Sequence, residues 1–155
     1  MPDKVYSNAA WYPIEIAGLK RELPVCKLSD EVSIAGFVIF GDVEMTVRCA
    51  EELLKRVPEH DILVTAESKG IPLIHEMARQ EGAQTYVVAR KGPKLYMKDP
   101  FFVEVQSIST AKAQKLYLDE TEAAKLKGRR VLIVDDVIST GESLHAVEQL
   151  VQRAG

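Results

Sequence analysis

Cysteine is scarce in this chain of 155 residues, and the two present, Cys26 and Cys49, stand far apart. Their spacing matches no zinc site or redox pair, so they read as free thiols in a reducing compartment. Long hydrophobic runs are missing as well. The longest apolar stretch, "VSIAGFVIF" at 32–40, is too short and too interrupted to span a bilayer. The opening "MPDKVYSNAAWYP" lacks the apolar segment of a secretion signal. No surplus of positive charge exists either. Net charge is −3, which gives no electrostatic reason to bind nucleic acid non-specifically. The three histidines, His60, His75 and His145, show no metal-ligand spacing. With no internal repeat and no low-complexity linker, a single cytoplasmic domain is expected, without membrane or nucleic acid as partner. Any anion it binds must be held by a local cluster of donors.

What is present is an alternation of strand-like and helix-like segments. Asp42 is a good N-cap for a helix over 42–58, with Val43, Val47, Ala50, Leu54 and Val57 as its apolar face. A buried strand is expected at 61–65, then a helix over 70–82 with Ile71, Ile74 and Met77 or Ala78 inward and Gly82 as its stop. "TYVVA" at 85–89 reads as a second buried strand. "FFVEVQ" and "QKLYL" read as two antiparallel strands around a polar connection, followed by a short helix or turn at 119–128. A third buried strand is expected over 130–136, and a final helix over 140–155 with Leu144, Val147, Leu150 and Val151 inward. Aliphatic strands alternating with amphipathic helices predict an α/β fold, a parallel sheet covered on both faces. Ligands in such sheets bind at the carboxyl ends of the strands, so the loops after 61–65, 85–89 and 131–134 carry the chemistry. The first forty residues read as short strands and turns forming a small cap.

The loop after 131–134 is the most informative. In "VLIVDDVISTGES" two acids are followed by a turn of small hydroxyl residues that enters a helix. Such a turn presents backbone N–H groups reinforced by the helix dipole. Ser139, Thr140 and Ser143 add hydroxyls, and Gly141 permits close approach of an anion. Asp135 and Asp136 would repel the same anion, unless the ligand also carries hydroxyls next to its phosphate. Carboxylates accept hydrogen bonds from vicinal hydroxyls and help to hold hydrated Mg²⁺. A sugar phosphate fits both halves.

"VLIVDDVISTGES" resembles the phosphoribosyl-pyrophosphate (PRPP) motif of type I phosphoribosyltransferases. "AESKGIPL" at 66–73 and "VVARKGPKLY" at 87–96 resemble the pyrophosphate loop and the following basic segment of the adenine branch. "VQSISTAKAQKLYL" sits where that family keeps a flexible catalytic loop, so the likeness extends over roughly 25–155. The resemblance implies a type I phosphoribosyltransferase fold, with a cap or hood over about 1–41 and a PRPP-binding core over 42–155. It also implies at least one further strand beyond the helix ending at Gly155.

For the site, the resemblance implies that Asp135 and Asp136 hold the ribose hydroxyls and Mg²⁺. Val137, Ile138, Ser139, Thr140, Gly141, Glu142 and Ser143 would cradle the 5-phosphate. Pyrophosphate would fall to Glu67, Ser68, Lys69 and Gly70, often across a non-proline cis peptide, with Arg90, Lys91 and Lys94 adding charge. Arg90, Lys112 and Lys115 join the two acids as catalytic candidates, the lysines in or beside a lid with Ser109. Leu28, Ile34 and Phe37 are the candidates for contact with the base. The implied activity is purine salvage, in which PRPP and a purine base give a nucleoside monophosphate and pyrophosphate. Hypoxanthine-guanine enzymes carry an acid at the position of Ser139, which favours adenine here, with xanthine second. A homodimer is implied too. The rival of another class is a PRPP-binding regulatory module without turnover.

Overall fold

The computed structural model describes residues 10–105 and 113–155. Three short strands open the chain: β1 (Trp11–Ile16), β2 (Leu19–Lys27) and β3 (Ser33–Ala35), paired antiparallel in the order β1-β2-β3. The β1–β2 connection is two residues long, and both Ala17 and Gly18 adopt positive φ, 51° and 76°. Two consecutive positive φ values match the right-handed twist of a tight hairpin, at some steric cost for the alanine.

The core sheet is parallel, in the order β5-β4-β8, with β4 at Ile62–Ala66, β5 at Val87–Ala89 and β8 at Val131–Ile133. Alternation along β4 divides the interior. Ile62 and Val64 face one cluster with Val87, Ala89, Val147 and Leu150, while Leu63 faces another with Met45, Leu73, Ile74 and Met77. Helices α1 (Val43–Leu54) and α2 (Ile71–Glu81) supply the second cluster. The first is supplied by α4 (Glu142–Ala154), with Leu126 of α3 (Glu120–Leu126) and residues of an antiparallel arm, β6 (Phe101–Val105) and β7 (Gln114–Leu118). The arm joins the sheet through an isolated bridge between Arg90 and Tyr117, closed by N–H···O bonds of 2.9 and 2.7 Å.

The expected elements are present, with three corrections. The strand expected at 85–89 begins only at Val87. The strand expected over 130–136 is limited to Val131–Ile133, and it is half-buried rather than buried, because among the described residues β8 pairs on one side only. Helix α1 buries Met45, Thr46, Cys49 and Ala50, leaving Val43 74% exposed. That face lies roughly a quarter turn from the expected one. Asp42 caps the helix through the Met45 amide (3.0 Å), while Arg21 of β2 grips Asp42 at 2.7 Å and Glu44 at 2.9 Å. This grip ties the first turn of α1 to the N-terminal sheet. Gly82 ends α2 in the left-handed conformation (φ 77°), as the sequence predicts.

Candidate active site

Strand β8 ends where Val134 donates its N–H to Val64 O (2.8 Å), and the two acids follow at once. Asp136 donates its amide to Asp135 Oδ1 at 2.8 Å, which folds the first carboxylate back over the second residue. Burial, and after it the neighbouring Asp136, pushes the Asp135 carboxyl up to about 6. Asp136 Oδ2 is buried and accepts no hydrogen bond. A buried carboxylate oxygen without a donor is costly, so this atom suits a ligand hydroxyl or a hydrated cation. Among the described residues no cluster of three or more metal-ligating side chains exists. A cation here would complete its shell with water and ligand oxygens, which is how Mg²⁺ is usually held.

The loop after β4 packs directly against these acids. Its Glu67–Ser68 peptide is cis, as the family resemblance implies. Gly70 is buried between Thr65 and Asp135. A Cβ there would collide with Thr65 Oγ1 of β4, while Asp135 Oδ1 at 3.4 Å would be in ordinary contact, so glycine lets the loop fold back on its own strand beside Asp135. Ser68 and Lys69 are exposed, and the charge of Lys69 acts on Asp135.

Beside it runs the loop after β5. Glu67 Oε2 accepts the Lys91 amide at 2.9 Å, and Glu67 Oε1 accepts from Arg90 Nη2 at 3.3 Å. The Lys91 amide, and after it the Arg90 guanidinium, hold the Glu67 carboxyl below the usual range against its partial burial. Arg90 Nη1 donates to the Tyr96 hydroxyl, while Nε is buried without a hydrogen bond, 3.2 Å from Glu67 Oε2 but misaligned. Lys91 is exposed, and Lys94 is half-buried, with its amide on Met97 Sδ (3.4 Å). Lys115 lies on the arm, where its Nζ is 3.5 Å from Glu104 and 4.3 Å from the Phe102 ring centre. Ser109 and Lys112 lie outside the described residues.

The turn from Val137 to Ser143 leads into α4. Gly141 has φ 85° and precedes the helix, which no side chain caps. The Glu142 amide approaches Thr140 Oγ1 at 3.4 Å. Ser139, Thr140 and Ser143 are exposed, as are the apolar Val137 and Ile138. An uncapped helix start lined by hydroxyls offers amide donors and a favourable dipole to an anion.

A cavity of about 800 Å³ opens between the N-terminal sheet, α1 and the two acids. Phe37 lines it, together with Asp135, Asp136 and Val137. Leu28 and Ile34 do not, being 65% and 45% exposed. Sequence reasoning missed the hairpin residues Ile14, Ile16 and Gly18, and also Arg48 and Leu53 of α1, which belong to its wall. The alternation in "WYPIEI" was the available signal for the hairpin.

Comparison with known proteins gives one consistent answer. A model of the phosphoribosyl transferase domain matches residues 45–155. The chain is 39% identical over 95 residues to the hypoxanthine/guanine phosphoribosyltransferase of Methanocaldococcus sp. (strain FS406-22), covering 61% of the chain and 44% of that relative. It is 30% identical over 117 residues to the adenine phosphoribosyltransferase of Rhodococcus jostii (strain RHA1), covering 76% and 63%. The chain thus spans about half the length of the first of these and less than two thirds of the second. The crystal structure of adenine phosphoribosyltransferase from Thermoanaerobacter pseudethanolicus superposes with a TM-score of 0.71 at 22% identity, covering 86% of the chain and 77% of that structure, which supports the type I fold. With the family model matching well over half its length, the chain belongs to the phosphoribosyl transferase domain family.

Proposed function

We propose that this chain is the PRPP-binding part of a purine phosphoribosyltransferase, which joins PRPP and a purine base to give a nucleoside monophosphate and pyrophosphate. The observation that carries the reading is the junction at Gly70. There the loop after β4 packs against Asp135, and the same acidic loop carries the orphaned buried oxygen of Asp136 and leads on to the uncapped start of α4. The amides and hydroxyls of 139–143 hold the 5-phosphate. Asp135 and Asp136 accept from the ribose hydroxyls. The 67–70 loop and Arg90 receive the pyrophosphate. A base nitrogen, held in the cavity beside Phe37, attacks C1 of the ribose as the C1–O bond to pyrophosphate breaks, with inversion. Catalysis rests on positioning, on stabilising the departing charge and on excluding water. Asp135 and Asp136 would hold Mg²⁺, which when bound shields the negative charge of the leaving group.

Adenine is the preferred base, because the Ser139 hydroxyl is far too weak an acid to exchange a proton with the purine ring as a carboxylic acid does. A second reading, hypoxanthine or guanine, draws on the 36% identity over 130 residues to the hypoxanthine/guanine phosphoribosyltransferase of Methanotorris igneus. The test is to supply PRPP, Mg²⁺ and, separately, adenine, hypoxanthine, guanine and xanthine, and to follow nucleotide and pyrophosphate. Adenosine monophosphate formed fastest is the expected result. Tight PRPP binding without product from any base would replace the enzyme by a regulatory module.

A further inference from the structure

A carboxylate in a loop that must hold pyrophosphate needs an explanation, and Glu67 has one in its contacts. Its N–H is bonded to Ala89 O (2.8 Å), and its side chain reaches across to the Lys91 amide and to Arg90. The polar contacts of Glu67 therefore run from the loop after β4 to the end of β5 and the loop that follows it. The contacts with Arg90 are long for a charge-assisted pair, at 3.2–3.3 Å, while the bond to the Lys91 amide is of ordinary length. Arg90 is thus aimed rather than locked, and its buried Nε still lacks a hydrogen-bond acceptor.

We infer that Glu67 is a positioning residue for Arg90. It holds the guanidinium beside the start of the 67–70 loop, with Tyr96 as the second support, so that the group as a whole is presented to the pyrophosphate oxygens. This inference rests on the proposed function, since it deepens the assignment of the same subsite. It opposes the simplest electrostatic expectation, in which an acid beside an anion site merely weakens anion binding. Removing that charge would then tighten binding. Under the positioning role, removal weakens it, because an unguided arginine loses more in orientation than the site gains in charge.

The experiment is a double-mutant cycle on the chain with Glu67→Gln, Arg90→Ala and the pair, read by calorimetric titration with Mg²⁺-pyrophosphate and with PRPP. Glu67→Gln keeps an acceptor for the Lys91 amide and removes the charge that orients Arg90. We expect it to weaken both ligands by roughly tenfold, the KM for the base to stay unchanged, and the thermal midpoint to move little. In the Arg90→Ala background the same substitution should have almost no further effect. Unchanged or tighter binding by Glu67→Gln would overturn the inference, and so would an equal loss with and without Arg90. Wild-type chain that binds neither ligand would instead overturn the proposed function, so the two failures are separable.

Discussion

The sugar-phosphate side of the molecule and its N-terminal sheet are held to the core in different ways. At the strand ends, the loops are joined by contacts that have main chain on at least one side. Gly70 fits between Thr65 and Asp135, Val134 is tied to Val64, and Glu67 bonds to the Ala89 carbonyl and the Lys91 amide. The N-terminal sheet instead rests on a few apolar residues, Ile16, Ala17 and Leu19, and on the grip of Arg21 upon Asp42 and Glu44. Backbone contacts leave little room for adjustment, whereas side-chain contacts can be retuned one residue at a time. The difference suits a site that fixes its common donor rigidly and leaves the choice of base to a replaceable cover.

The largest effect should come from the rigid side. Exchanging both Asp135 and Asp136 for asparagine should weaken PRPP by roughly a hundredfold or more in a calorimetric titration, because charge-assisted acceptors for hydroxyls and cation are lost together. An unchanged affinity would mean that the acids face something other than ribose.

Next in size is Gly70→Ala, whose added methyl must push the Thr65 hydroxyl aside next to Asp135. We expect about a tenfold weaker PRPP interaction and a drop of a few degrees in thermal midpoint, as for overpacked sites. If only stability fell, the junction would be structural and the contrast between the two regions would blur.

Asp135 alone offers a pH test. Its folded carboxyl titrates near 6, above the ordinary aspartate value, so the charged form opposes folding above that pH and the opposition fades on acidification towards 4. Asp135→Asn should therefore stabilise the chain on the order of 1–2 kcal/mol at pH 8, after discounting for partial exposure. The gain should vanish by about pH 4 in paired thermal melts. PRPP affinity of the wild type should move the other way, falling as pH drops through 6, since a protonated Asp135 is a poorer acceptor. Parallel trends would break this account.

The smallest effect belongs to the N-terminal side. Arg21→Ala should raise the KM for the base roughly two- to threefold, leave the KM for PRPP alone, and shift the melt only slightly, as expected for a partly exposed ion pair. A larger change in PRPP than in base would erase the distinction.

Legibility followed locality. The acids, the hydroxyl turn and the entry to α4 lie within thirteen consecutive residues, so their joint chemistry is readable without a fold. Asp42 as a cap and Gly82 as a stop are local as well, and both hold. The pair Glu67–Arg90 became visible only once β4 and β5 were neighbours. The cavity wall was hidden for a similar reason, because Ile14, Phe37, Leu53 and Asp135 meet through tertiary packing alone. The face of α1 was misjudged because two apolar stripes compete on one helix, and the cluster that decides between them, Met45, Cys49 and Ala50 against Leu63, Ile74 and Met77, forms only in the fold. Leu28 and Ile34 suffered likewise: an apolar residue in a bend or in a three-residue strand does not announce which side faces the site.

The bridge between Arg90 and Tyr117 has a mechanical meaning. Both backbone groups of Arg90 are tied to Tyr117, and the register of β7 continues from there to Gln114 opposite Val105. Strand β7 is thus tied by its main chain to the very residue that carries the candidate pyrophosphate charge, while Leu116 and Leu118 anchor the same strand in the core. The position of Arg90 is shared between the sheet and the arm, with no side chain between them.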